Sequence, residues 1–256
     1  MERSARAPRL WLLDTARVPE CLMRSEEWLS SSERQRADRF VGDAKRRQFV
    51  VVHGFTRWVL SHHADVDPDE WRFETGPHGR PEAMPPAPRA GTVDLRFNLS
   101  HTDGMAAVVV TERVDCGVDV EGFDRPTDPL GPSRLVLAAQ ELADLTSMSE
   151  ADRLERFLQY WTLKEAYIKA TGVGFALPLK QIAFDLRDPG RISVQAGPVV
   201  GDRPDEWQFR TWRTARHEVS VALRTGRRDD AVAVDVERVP APRSASSHPG
   251  GSALLR

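Results

Sequence analysis

The pentapeptide Gly117-Val118-Asp119-Val120-Glu121 alternates apolar and acidic side chains, which is the period of a β-strand. In that conformation Val118 and Val120 share one face and both carboxylates share the other, with their Cα atoms about 6.5–7 Å apart. Two acids so placed can share one hard cation. Oxygen ligands of this kind suit Mg²⁺, which takes one or two carboxylates together with substrate phosphates and water. A strand whose outer face meets solvent has the same alternation. The chain carries its own control, because residues 234–237 repeat the tetrapeptide VDVE beside Arg227, Arg228, Asp229 and Asp230. That copy has no neighbouring turn, histidine or acidic helix to complete a site, and it is read as structural.

A second group lies in residues 161–169, WTLKEAYIK. At helical spacing Phe157, Trp161, Lys164, Glu165, Ile168, Lys169 and Gly172 fall on one face, so charges interrupt a face that should be core. A surface Glu165–Lys169 pair would account for this at a few tenths of a kcal/mol. Lysine is scarce, however: of 36 basic residues only Lys45, Lys164, Lys169 and Lys180 are lysines, and two of them fall within six positions. A compact ammonium can approach a phosphate oxygen or give up a proton, whereas a guanidinium stays charged. The third group is residues 97–102, FNLSHT, a strand running into a turn. Ser100 and His101 could belong to a hydrolytic arrangement or hydrogen-bond a phosphate. The strand-like 105–111 that follows supplies no strand-turn-helix elbow for a nucleophile, which favours the phosphate contact. His53, His62, His63 and His78 lack metal-ligand spacing and are read as structural or exposed.

The elements that must position these residues follow from periodicity. Residues 9–14 read as a strand, 20–40 and 43–63 as helices, and 70–74 as a strand. A proline-rich loop covers 75–92. Strands at 93–99, 105–111 and 116–120, separated at hairpin distance, predict an antiparallel meander. A loop at 122–134 leads to helical pattern from about 135, strongest over 150–171, with Gly172 as a C-terminal stop. Strands at 181–186, 191–195, 206–212 and 217–223 close the globular part, and residues 240–252 are too small and polar to bury anything. The fold class is α+β. The order of elements hints at two similar halves, 1–100 and 101–225, the second holding the metal site, followed by a mostly disordered tail over 226–256.

Composition bounds the function. The 256 residues, 40% hydrophobic, suffice for a real core, and 36 basic against 38 acidic residues give a formal charge of −2, which argues against a dedicated nucleic-acid binder. Locally, residues 33–57 hold seven basic residues (Arg34, Arg36, Arg39, Lys45, Arg46, Arg47, Arg57) against Glu33, Asp38 and Asp43, where a compact polyphosphate could sit. Cys21 and Cys116, 95 positions apart, support neither a disulfide framework nor a cysteine zinc site. With no long apolar run and no secretion signal, the expected location is the cytoplasm.

Together, FNLSHT at 97–102, GVDVE at 117–121 and WTLKEAYIKATG at 161–172 resemble the Sfp-type 4′-phosphopantetheinyl transferases, over roughly residues 10–225. The resemblance implies a monomer of two similar α+β halves related by a pseudo-twofold axis, with coenzyme A and Mg²⁺ between them. It implies transfer of the phosphopantetheine arm of coenzyme A to a serine of an acyl, aryl or peptidyl carrier protein, leaving adenosine 3′,5′-bisphosphate. Asp119, Glu121 and Glu165 would hold the metal. Lys169 would contact the diphosphate, Lys164 would add charge nearby, and Ser100 and His101 would meet coenzyme A phosphates. The family's Gly-Lys-Pro loop stands here as Gly79-Arg80-Pro81, which keeps the charge but changes donor geometry. Arg46 or Arg47 matches the family's early phosphate-binding arginine. Glu165 is the candidate base. The segment 122–150 and the face after Gly172, with Leu135, Val136, Phe175 and Leu177, are read as either carrier docking surface or core.

Two other classes share parts of the pattern. Metal-dependent nucleases also combine acids with lysine, but they place the lysine two residues after an acid on a strand, and here it follows Glu165 by one helical turn. A module that binds coenzyme A or a carrier without turnover would have no need of the full set of Asp119, Glu121, Glu165 and Lys169.

Overall fold

A computed structural model describes residues 6–76, 79–84, 94–124, 129–174, 177–188, 190–196, 203–226 and 232–240. Four layers stack in the order helix, sheet, sheet, helix. The first sheet has the order β11-β1-β5-β4, formed by β1 (Arg9–Asp14), β4 (Leu95–Thr102), β5 (Met105–Glu112) and β11 (Asp235–Arg238). Trp11 and Leu13 of β1, with Ala106, Val108 and Val110 of β5, meet one side of α3 (Asp43–Ser61), which contributes Val52, Phe55, Val59 and Leu60. The alternate residues, Leu10, Leu12, Ala107 and Val109, face the second sheet. Burial on both faces explains why β5 is apolar almost throughout.

The second sheet has the order β6-β10-β9: β6 (Cys116–Gly122), β9 (Trp207–Arg213) and β10 (His217–Arg224). Val118 and Val120 of β6 and Val219 and Val221 of β10 pack on the first sheet. The opposite face takes α6 (Glu150–Thr171), whose Leu163, Ala166, Tyr167 and Ala170 are buried there with Phe209 and Ala222. Two hairpins, β2 (Arg72–Thr75) with β3 (Pro81–Met84) and β7 (Ile182–Asp185) with β8 (Ser193–Ala196), flank these layers. Four shorter helices among the described residues complete the order of elements: α1 (Ser25–Trp28) and α2 (Ser31–Asp38) before α3, and α4 (Leu130–Val136) and α5 (Ala139–Ser147) before α6. Among the described residues no helix is long and apolar enough to cross a membrane.

Several expectations change. The expected helix over 20–40 is broken into a 3-10 turn at Glu20–Leu22, α1 and α2, because Ser30 and Glu33 form a reciprocal capping box that starts a new helix. The expected meander stops after β4 and β5. Since β1 and β4 occupy both edges of β5, β6 has no place beside it and pairs instead with β10. The chain crosses between sheets at Arg113, whose φ of 58° makes the turn. The division at residue 100 cuts through β4, and β5 belongs to the first sheet. The segment expected as a tail from 226 contains β11, which runs parallel to β1 from Asp235 opposite Arg9. Asp235 and Glu237 of the repeated VDVE lie exposed on that strand, as a structural reading requires. Residues 241–256 lie outside the described residues, as does His78.

Candidate active site

The motif residues of β6 and α6 meet because the strand has no side chain where the helix crosses it. A Cβ on Gly117 would stand 2.0 Å from the carbonyl oxygen of Ala166, so only glycine lets the helix backbone come this close. Ser149 and two acids open α6, and Gly172, with a φ of 69°, closes it in the left-handed conformation expected of a helix stop. The crossing sets the Glu165–Lys169 turn directly over Asp119.

Lys169 Nζ lies 2.6 Å from Asp119 Oδ1 and donates to Ser100 Oγ at 3.0 Å and to the carbonyl oxygen of Val118 at 3.2 Å. Ser100 Oγ donates to the same Asp119 oxygen at 2.8 Å. From β4, Asn98 Oδ1 accepts the amide of Val118 at 2.9 Å, which ties the edge of the first sheet to the strand that carries the acids. Glu121 accepts from the indole of Trp161 at 3.1 Å. Glu165 is buried, and its carboxyl is pushed up to about 7 by desolvation first and then by repulsion from Asp119 and Glu121, against the pull of Lys169. Glu165 lines the cleft beside Lys169, one helical turn away.

This site carries an excess of negative charge. Three carboxylates face one ammonium, and the buried atoms Asp119 Oδ2 and Glu165 Oε1 have no hydrogen-bond partner among the described residues. Orphaned carboxylate oxygens around a charge deficit are the donor chemistry of Mg²⁺, so the residues fit a divalent cation. They do not stand as a closed cage: among the described residues no group of three potential ligands has metal-holding geometry, and Lys169 sits on one Asp119 oxygen.

Above this floor opens a cleft of about 1090 Å³. Its walls come from α2 and α3 (Arg36, Lys45, Gln48, His53), the β2–β3 hairpin (Arg72, Gly79, Arg80, Pro81), β4 (Asn98, His101) and α6 (Glu165, Lys169, Gly172). It exceeds the usual size of a drug-sized pocket and is walled by cations. Arg80 donates to the carbonyl oxygen of Ala170 at 3.0 Å, bracing the hairpin against the C-terminus of α6. His101 is held below its ordinary pKa, mainly by desolvation and further by the charges of His53 and Lys169.

Ser100, Asp119, Glu165 and Lys169 therefore come together, with Glu121 at the next outward position of the strand, and Gly79, Arg80, Pro81 and His101 line the cleft. Lys164 does not join them. It is fully buried, 2.8 Å from Glu141 Oε2, and donates to the carbonyl oxygens of Leu179 and Ile182. Consecutive helical residues point about 100° apart, so Lys164 turns under the helix while Glu165 looks into the cleft. Arg46 pairs with Glu26 at 2.6 Å and Asp38 at 3.3 Å, Arg47 is exposed, and neither lines the cleft. Arg36 and Lys45, counted in the basic stretch, stand there instead, joined by Arg72 and His53, which carried no signal of their own. Leu177 is core, Leu135 is 74% exposed, and Phe175 lies outside the described residues.

An α+β chain that gathers acids, a lysine and a serine beneath a cation-walled cleft has the make-up of an enzyme that transfers a phosphate-bearing group. Residues 115–224 match the 4′-phosphopantetheinyl transferase superfamily. The chain is 32% identical over 190 residues to the 4′-phosphopantetheinyl transferase HetI of Nostoc sp., covering 74% of this chain and 78% of that one. It is 25% identical over 170 residues to the 4′-phosphopantetheinyl transferase Sfp of Bacillus subtilis, covering 66% and 71%. A phosphopantetheinyl transferase of Thraustochytrium sp. is 27% identical over 212 residues, covering 78% and 72%. The chain belongs to the 4′-phosphopantetheinyl transferase family.

Proposed function

We propose that this protein moves the 4′-phosphopantetheine arm of coenzyme A onto a serine of an apo acyl, aryl or peptidyl carrier protein, with Mg²⁺, and releases adenosine 3′,5′-bisphosphate. The observation that carries the reading is the hydrogen-bonded set of Asp119, Ser100 and Lys169 directly beneath the cation-walled cleft that Glu165 and Lys169 line. Asp119, Glu121 and Glu165 are the residues that would hold the metal, which when bound neutralises diphosphate charge.

Coenzyme A fills the cleft with its phosphates against Arg80, Ser100 and His101 and its far end toward Arg36, Lys45 and Arg72. The carrier serine enters over Glu165, which takes the hydroxyl proton directly or through one water. Serine Oγ bonds to the phosphorus that bears pantetheine, and the bond from that phosphorus to the bridging oxygen breaks. Lys169, whose ammonium already serves a carboxylate and a hydroxyl, turns to the charge that develops on the departing bisphosphate. The carrier docks over the apolar groove of Pro132, Leu135, Val136, Phe157 and Trp161, the last of which donates its indole N–H to Glu121. The protein acts as a monomer in the cytoplasm.

Incubation with coenzyme A, Mg²⁺ and a panel of apo carriers, followed by intact-mass measurement, tests the proposal. One carrier should gain a single phosphopantetheine unit. A panel that stays unmodified while a nucleic acid is cleaved would favour a nuclease, and coenzyme A binding without transfer would favour an inactive module.

A further inference from the structure

The substrate-facing residues sit on two different sheets. Asp119 and Glu121 belong to β6, whereas Ser100 and His101, of which His101 lines the cleft, belong to β4, the edge strand of the other sheet, two or three positions before its hairpin turn. Asn98 and Ser100 bond β4 to β6 along the strand, but the turn lies beyond these bonds, at the end of an edge strand, and is held by contacts of its own.

The turn is the two-residue connection Asp103-Gly104, with Gly104 in the left-handed region at a φ of 82°. Its carbonyls are taken by three separate elements. Thr102 O accepts Gln48 Nε2 from α3 at 3.1 Å, Gly104 O accepts the amide of Thr15 after β1 at 3.2 Å, and Asp103 O accepts His217 Nε2 from β10 at 2.8 Å. A carbonyl can only accept, so the proton of His217 is on Nε2. Only 4% of His217 is exposed. Its ring lies against Gly104, where a Cβ would stand 3.6 Å from it. Its amide donates to Thr214 Oγ1 at 2.9 Å, and its carbonyl accepts from the amide of Thr214 at 2.9 Å. In register it faces Gly122, the residue after Glu121.

We propose that His217 is a positioning residue for the coenzyme A contact of His101: through the Asp103 carbonyl it locks the β4–β5 turn to the sheet that bears the metal-site acids. The inference rests on the proposed reading of the cleft as the coenzyme A site. Of the three ties, it is the one that comes from the sheet of Asp119 and Glu121; the Ser100–Asp119 and Asn98–Val118 bonds hold the strand itself to β6, and His217 extends that hold past Ser100 to the turn that follows His101. Small misplacements of groups that touch a substrate are costly in rate and binding.

The test compares His217→Phe, which keeps a ring but loses the donor, with His217→Gln, whose amide can donate to the same carbonyl. Steady-state kinetics at saturating apo carrier should show the KM for coenzyme A raised about tenfold in His217→Phe, the effect of one lost buried hydrogen bond. Its kcat should change by less than about twofold, and His217→Gln should recover most of the loss. Hydrogen exchange at residues 102–105 should quicken in His217→Phe and not in His217→Gln. If His217→Phe does not fold, His217→Asn, too short to reach the carbonyl, takes its place with the same expectation. His101→Ala, measured alongside, separates the two layers of the argument. A raised KM in His101→Ala with an unchanged KM in a folded His217 variant would overturn the positioning role and leave the cleft reading standing. An unchanged KM in His101→Ala would overturn the reading of His101 and, with it, the route through which His217 acts. A lower melting temperature with unaltered KM would reduce His217 to a structural residue.

Discussion

Glu165 costs the folded protein stability that a simple substitution should return. Its carboxyl is pushed up to about 7 in the fold, from an ordinary glutamate value of 4.5. At about 1.4 kcal/mol per unit, ionising it in place costs about 3 kcal/mol more than ionising it in the unfolded chain. The sign follows from proton counting. Between pH 4.5 and 7 the folded state holds a proton that the unfolded state has lost, so stability falls as pH rises through that window and the full cost is present above it. Glu165→Gln removes the charge with little change of shape. In metal-free buffer the variant should exceed the wild type by about 2–3 kcal/mol at pH 8, or about 4–10 °C in melting temperature for a chain of this size, and by far less at pH 5. Denaturant and thermal melts of both proteins with a chelator present, at the two pH values, measure this directly. Transfer activity should meanwhile fall by about 10²-fold or more. An advantage for Glu165→Gln that is equal at pH 5 and pH 8, or absent at both, would refute the argument that burial and two neighbouring carboxylates hold this group near neutrality.

Lys169→Arg should be a poor enzyme, about tenfold or more reduced in kcat, because a planar guanidinium cannot take the position from which one ammonium meets Asp119, Ser100 and the Val118 carbonyl; steady-state assays with wild-type kcat would show that charge alone is enough. Lys164→Met should act through stability, not binding. It leaves Glu141 buried without its cation, a loss of about 3–5 kcal/mol in a melt, while the folded fraction keeps the wild-type KM for coenzyme A. Leu135→Glu, at an exposed site on the groove rim, should raise the KM for carrier several-fold with no change in the KM for coenzyme A or in melting temperature, and an unaltered carrier KM would remove the docking proposal.

Local pattern made the site's main parts legible. Strict alternation in 117–121 placed Val118 and Val120 in the core and Asp119 on the opposite face, and helical spacing from Phe157 to Gly172 delivered Glu165 and Lys169 to one surface with the stop where the φ of Gly172 puts it. What failed depended on partners distant in the chain. Lys164 shares a broad helical face with Glu165, and nothing near it in sequence announces that Glu141 waits beneath the helix. Arg46 looked as free as any cation of its stretch, yet Glu26, twenty residues earlier, claims it. Counting charge found the basic wall but could not say which of its residues were spent in ion pairs. The same limit hid β11 and the pairing of β6, since Asp235 meets Arg9 and Glu121 meets Glu218 across separations that no periodicity encodes. The edges left open by other strands decide such pairings.

Whether Asp119, Glu121 and Glu165 would together hold one divalent ion is answered by titrating Mn²⁺, as a paramagnetic stand-in for Mg²⁺, into the protein with coenzyme A present and counting bound ions by magnetic resonance. The account predicts one ion per chain in the wild type, displaced by Mg²⁺, and a loss of about tenfold or more in affinity in Asp119→Asn and in Glu165→Gln. Binding of equal strength and number in both variants would contradict it.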